Sequence, residues 1–117
     1  SNNMNRKGQA LVEFVLILPI FIMILFAIVD FGMILNKKNE LENTSVDIIN
    51  LLNNNNQIEE IQKEYPKVDI KLTKEEKYTN VEVSTEVNII TPGLNRVLGN
   101  PYIVKVERKI SNVEDKQ

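Results

Sequence analysis

Two acidic residues interrupt an otherwise apolar segment near the N-terminus, and their positions have the clearest chemical consequences. Glu13 is the fifth residue after Gly8, and Asp30 lies towards the other end of the apolar segment. A carboxylate inside a membrane span costs roughly 2–3 kcal/mol even on permissive insertion scales. Each of these two residues is therefore expected to have a partner or to lie at the edge of the membrane.

Two explanations stay open for Glu13. It can lie among the lipid headgroups near the helix N-terminus, where the helix dipole favours an anion. Alternatively, cleavage of the chain after Gly8 would create a new α-amine on Gln9. The amine of a neighbouring subunit could then pair with Glu13 when the helices are staggered during assembly.

Asp30 also allows two explanations. It can mark the outer boundary of the membrane core, or its carboxylate can pair with a basic group on a partner helix. Lys37 and Lys38 follow a turn or two later, and a long lysine side chain can extend along the helix towards such a carboxylate.

The composition argues against several classes of function. The chain has 117 residues, a formal net charge of -2, no Cys and no His, which excludes thiolate catalysis and the usual zinc sites and argues against nucleic acid as a partner. We find no nucleophile–base pair and no phosphate-binding loop. The sequence thus predicts neither an enzyme nor a cofactor.

The apolar segment itself is predicted to be a membrane-spanning helix. Residues 14–29 contain no polar side chain, and residues 9–35 form a helix of roughly 40 Å, longer than the membrane core of about 30 Å. The segment exceeds the apolar region of about 7–15 residues that is typical of a cleaved secretory signal. Pro19 is expected to kink this helix, because it removes one N–H and crowds the carbonyl of Val15.

The remaining sequence predicts a small α+β domain. Helical spacing of apolar residues continues the first helix until the Asn run 53–56, and a short helix is expected before Pro66. Three later segments alternate apolar and polar residues with a period of two, which indicates an antiparallel sheet with one covered face. The fold class is therefore α+β: a long N-terminal transmembrane helix, extended into a polar helix that packs on a three-stranded antiparallel sheet. The connection at residues 91–101 is expected to place Leu94, Val97 and Leu98 in a helical turn under this sheet.

The N-terminal segment resembles that of TadE-like proteins, minor pseudopilins of tight-adherence (Tad/Flp) pilus systems that are related to type IV pilins. The resemblance rests on a basic leader that ends in Gly8, on Glu13 at the fifth position after it, on Leu18-Pro19, and on Asp30-Phe31-Gly32. These features cover about a quarter of the chain, and their fixed spacing makes the resemblance specific. A pilin-like fold is what it implies.

The resemblance also implies a maturation step and a set of partners. A prepilin peptidase would cut between Gly8 and Gln9, removing residues 1–8 as a basic leader in which Met4 is the expected initiator. Residues 9–35 would remain in the cell membrane, with residues 36–117 outside the cytoplasm. The implied partners are membrane lipid, other pilin or pseudopilin subunits and the Tad secretion machinery, and the implied role is in pilus assembly and surface adherence.

An uncleaved single-pass membrane protein is the main alternative. A membrane-tethered scaffold or sensor subunit would share the span and the small outer domain. Cleavage of the bond between Gly8 and Gln9 distinguishes the two. A third possibility, a soluble domain with a buried apolar helix, is disfavoured because residues 14–29 are apolar around the whole helix.

Overall fold

The computed structural model describes residues 2–112; Ser1 of the predicted leader and residues 113–117 of the predicted outer domain lie outside the described part. The first element, helix α1, extends over Asn2–Asn53, about 78 Å at 1.5 Å per residue. It begins before Gly8, so residues 2–8 of the predicted leader are part of the same helix. The helix also continues through Pro19 without a break, and the kink expected at this residue stays a prediction.

The first half of α1, residues 5–29, projects away from the rest of the molecule. All side chains of residues 5–26 are exposed, and Asp30 is the first buried residue. Among the described residues, α1 is the one helix that is long and apolar enough to cross a membrane. An apolar surface of this size on every side of a helix requires lipid or other helices around it.

The second half of α1, residues 30–53, covers the sheet with one stripe of side chains. Leu41, Ser45 and Ile48 are buried, and their spacing of four and three residues places them on one face. The helix ends as predicted at the Asn run. Asn55 adopts a left-handed backbone with φ of 68°, and the N–H of Asn56 donates to the carbonyl of Leu51 at 3.1 Å. This arrangement is a Schellman motif, in which Asn is tolerated at the left-handed position.

Helix α2, at Ile58–Glu64, confirms the predicted short helix before Pro66, and it buries Ile61. The side chain of Gln62 connects α2 to the first strand. Its Nε2 donates to the carbonyl of Tyr65 at 3.0 Å, and its Oε1 accepts from the N–H of Ile70 at 3.2 Å. The polar side chain therefore satisfies backbone groups in a connection that has no regular hydrogen bonding.

The sheet is the predicted three-stranded antiparallel meander. Strands β1 (Asp69–Lys74), β2 (Tyr78–Val87) and β3 (Tyr102–Ser111) pair in sequence order. Val83 of β2 lies opposite Ile70 on β1 and Val106 on β3. Because every second side chain of a strand points to the same face, this row and the rows two residues away on either side form the covered face of the sheet. The core contains side chains from α1, α2, β2 and β3: Leu41, Ile48, Ile61, Val81, Val83, Val87 and Val104.

One prediction about the second connection is wrong. The helical turn forms, as helix α3 at Leu94–Leu98, but it buries none of its residues. Val97 is 79% exposed. The reason is that the second half of α1 already fills the space under the sheet, where the core residues of helix and strands meet.

Candidate functional site

Gly8, Gln9 and Glu13 all lie on the exposed first half of α1. Gln9 and Glu13 are four residues apart in a continuous helix, so they share one face. A Cβ built on Gly8 would meet nothing within 4 Å. Gly costs a helix about 1 kcal/mol relative to Ala, and packing within the chain gives no reason for that cost at this position.

Glu13 has no ion pair with another side chain in the described part of the chain. It is exposed on a helix whose neighbouring side chains, among them Leu16 and Ile17, are apolar and also exposed. Within the described residues, no basic side chain of the small domain pairs with it. Any ionic partner of Glu13 therefore has to come from outside this part of the chain.

Asp30 has a different environment, in which every contact is made within the chain. Its side chain is fully buried. One carboxylate oxygen, Oδ1, accepts from the N–H of Ile90 at 2.9 Å, and Oδ2 accepts from the N–H of Thr91 at 2.8 Å. The hydroxyl of Thr91 also donates to Oδ2. Three donors thus satisfy a carboxylate that apolar residues precede and follow, which offsets its desolvation.

Neither lysine that follows Asp30 takes part in this contact. Nζ of Lys37 lies 3.4 Å from a carboxylate oxygen of Glu40, and the donors to Asp30 come from the connection between β2 and β3. Whether Asp30 also marks the membrane boundary stays a prediction. The structure brings Asp30 together with Thr91 but leaves Gly8, Gln9, Glu13 and Pro19 apart from the folded domain.

The connection that supplies these donors, residues 88–101, is hereafter the β2–β3 loop. Sequence reasoning identified it as a turn but missed Thr91 as the partner of Asp30. The turn is closed by the N–H of Leu94, which donates to the carbonyl of Thr91 at 3.2 Å, and the N–H of Ile89 donates to Oδ1 of Asn100 at 3.3 Å. The sequence does contain a sign of this contact. A buried carboxylate needs several hydrogen-bond donors, and a Thr in a turn offers both its N–H and its O–H.

A second polar contact joins α1 to the sheet. Arg108 lies on the helix-facing row of β3, and its Nε donates to Oγ of Ser45 at 2.8 Å. Oγ of Ser45 in turn donates to the carbonyl of Glu42 at 2.6 Å. Within the described residues, no group of three or more His, Cys, Asp or Glu side chains is placed to hold a metal ion.

Comparison with known proteins identifies the N-terminal segment. The family model described as TadE-like protein matches residues 8–47, about a third of the chain. No curated protein and no solved structure matches significantly. The resemblance inferred from the sequence is therefore confirmed over a segment that starts at Gly8 and includes Glu13, Pro19 and Asp30. The TadE-like family is a structural family of pilus systems, and the apolar helix and this similarity together indicate membrane association.

Proposed function

From this TadE-like segment, we propose that the protein is a minor pilin or pseudopilin subunit that a prepilin peptidase cleaves between Gly8 and Gln9. Residues 9–35 anchor it in the cell membrane, and residues 36–117 form a domain outside the cytoplasm. The mature chain takes part in the assembly of a Tad/Flp-type pilus and in surface adherence. Its partners are other pilin or pseudopilin subunits and the Tad secretion machinery.

The observation that carries this proposal is the match of residues 8–47 to the TadE-like family. The matched segment begins at the residue that would end the leader. It also contains the part of α1 whose apolar side chains are left uncovered by the described residues, such as Leu16, which is 67% exposed. In a membrane these side chains contact lipid, and in a filament they contact neighbouring helices. Close packing would drive that second association, because apolar helices in lipid gain little from the hydrophobic effect.

The environment of Gly8 supports cleavage at this position. Since nothing in the fold contacts a Cβ placed there, the glycine serves the fold no better than alanine would. Its low helix propensity instead favours local unwinding, which a peptidase needs to bind the peptide bond in an extended form. Recognition by the peptidase thus accounts for a glycine that packing does not explain.

The direct test is the N-terminal sequence and intact mass of the protein in membranes of cells that contain an active prepilin peptidase. The expected chain begins at Gln9 or at its cyclised form. Gly8→Leu should prevent cleavage, whereas Gly32→Leu, the same change at a glycine where an added Cβ is equally free of contacts, should leave it intact. A chain that keeps residues 4–8 in such cells would contradict the proposal and favour the uncleaved scaffold.

Glu13 is proposed to pair during assembly with the new α-amine on Gln9 of a neighbouring subunit. Glu13 is exposed near the start of α1 in the cleaved chain, so the α-amine of a staggered neighbour can approach it. Glu13→Ala should be cleaved normally but should enter filaments much less, while Glu59→Ala, at an exposed position of α2, should behave like the unmodified chain. Normal assembly of Glu13→Ala, or complete cyclisation of Gln9 in assembled subunits, would contradict this pairing.

A further inference from the structure

The β2–β3 loop is attached to the helix at the level of the apolar segment. The N–H groups of Ile90 and Thr91 donate to Asp30 at 2.9 and 2.8 Å. Asp30 directly follows the uninterrupted apolar residues 14–29. The loop is therefore the part of the folded domain that these contacts place beside the segment proposed to span the membrane.

The apolar surface of α1 does not end at this attachment. Phe31, Met33 and Leu35 follow Asp30 and are 49%, 42% and 63% exposed. Leu35 is about 7.5 Å further along the helix than Asp30. If lipid covers these side chains as it covers the preceding ones, it also reaches the loop that lies beside them.

The composition of the loop suits such a position. Residues 88–101 contain no acidic residue and one charged residue, Arg96, together with several apolar residues: Ile89, Ile90, Leu94, Val97 and Leu98. Irregular backbone is excluded from the hydrocarbon core but not from the headgroup region. There, apolar side chains reach the start of the acyl chains and an arginine meets lipid phosphates.

The exposure of the apolar side chains also points to an external partner. Val97 is 79% exposed and Ile90 is 50% exposed. The exposed fraction of Val97 exceeds that of Leu16, at 67%, in the segment proposed to face lipid. The described part of the chain thus leaves apolar side chains uncovered both on the β2–β3 loop and on the stretch of α1 beside it.

We propose that the β2–β3 loop is a second membrane-contact element, in which Ile90 and Val97 enter the headgroup–acyl boundary and Arg96 binds lipid phosphate. This inference rests on the proposed membrane span of α1. Together, the span and the loop give the outer domain two contacts with the membrane. The Asp30 contact connects them and fixes the height of the sheet above the lipid.

The test uses fluorescence quenching by lipid in the full-length chain. Because the sequence contains no Cys, single replacements Val97→Cys, Val46→Cys and Ile24→Cys each give one site for an environment-sensitive dye. Val46 is the matched control: it is an exposed valine of α1, 44% accessible, and about 24 Å along the helix beyond Asp30. Ile24 reports on the span itself.

The labelled chains are placed at high dilution in vesicles of phosphatidylcholine and phosphatidylglycerol that carry a nitroxide near the headgroup end of the acyl chain. We expect dyes at residues 97 and 24 to lose most of their emission and the dye at residue 46 to lose little. Quenching at 24 with residue 97 behaving like 46 would overturn the loop proposal and leave the proposed function intact. Lack of quenching at 24 would overturn both.

A third readout separates lipid from protein as the cover of the loop. Iodide in the aqueous phase quenches dyes that water reaches. A dye at residue 97 that neither iodide nor the nitroxide lipid quenches would be covered by another copy of the chain, which would overturn the membrane proposal. Protection from iodide together with quenching by the nitroxide lipid is the expected result.

Discussion

The two halves of α1 belong to one continuous helix but have opposite surroundings. In the first half, apolar side chains are exposed on every side, as Ile24 is at 52%. In the second half, one stripe is buried and the remaining residues are mostly polar; Ile48, for example, is fully buried. The most apolar part of this chain is thus not its core. The core forms where the partly apolar stripe of the second half packs against the sheet, whereas the uniformly apolar half has no packing partner among the described residues.

The largest expected difference between the halves concerns Ile48 and Ile24. Ile48→Ala should lower the free energy of unfolding of the domain by about 2–5 kcal/mol, because it leaves a cavity between α1 and the sheet. Ile24→Ala, the same change in the first half, should leave domain stability unchanged. Hydrogen exchange of the β2 amides, measured for the full chain in lipid nanodiscs, reports on both. Equal effects of the two variants would show that the first half also stabilises the domain.

Asp30 lies where the two halves meet, and its removal is expected to have the next largest effect. Asp30→Ala leaves the N–H groups of Ile90 and Thr91 without acceptors, at a cost of about 1–3 kcal/mol. Exchange of these two amides should rise about 5- to 150-fold, with β2 protected as before. Asp47→Ala, an exposed aspartate on the same helix, is the control and should change neither amide.

An unchanged exchange rate in Asp30→Ala would show that the loop keeps its position without the carboxylate. In that case the hydrogen bonds would be a consequence of the fold and not a cause of the loop position. The core between α1 and the sheet would then be sufficient to place the loop beside the apolar segment.

Local patterns predicted most of the fold, because the residues that decide it are close in sequence. Strand alternation gave the meander, the Asn run gave the end of α1, and Pro66 gave the end of α2. Each of these signals acts within a few residues through backbone geometry. The TadE-like segment could also be recognised from local sequence, because its characteristic residues lie at fixed spacing between Gly8 and Gly32.

The contacts that position the domain could not be predicted in this way. Asp30 and Thr91 are 61 residues apart, and Ser45 and Arg108 are 63 apart. The period-two pattern places Arg108 on the same row as Val104 and Val106, opposite to the other charged residues of β3. It does not indicate that Ser45 of α1 is the partner of Arg108. The exposure of Val97 was also missed, because an apolar helical turn suggests burial unless the space under the sheet is known to be occupied.

The hydroxyl of Thr91 is expected to contribute less than the carboxylate that it binds. Thr91→Val removes one of three donors to Asp30 and keeps the shape, so the contact should weaken by about 1 kcal/mol. Thr91→Ser keeps the hydroxyl and should exchange more nearly like the unmodified chain. Amide exchange at Ile90 again provides the measurement. If the serine variant were as perturbed as the valine variant, packing of the methyl group would matter as much as the hydrogen bond.

The smallest effect is expected for the ion pair just beyond the apolar segment. Lys37 and Glu40 are joined at 3.4 Å, but their side chains are 40% and 59% exposed, and such a pair contributes about 0.5 kcal/mol at most. Lys37→Ala should therefore change the unfolding of the domain no more than Lys38→Ala, a change at the exposed neighbouring lysine. Denaturant unfolding in detergent, followed by the near-ultraviolet signal of the tyrosines, tests this. A loss above about 1 kcal/mol specific to Lys37 would mean that the polar half of α1 depends on a single surface charge, which would contradict the view that its stability comes from the buried stripe.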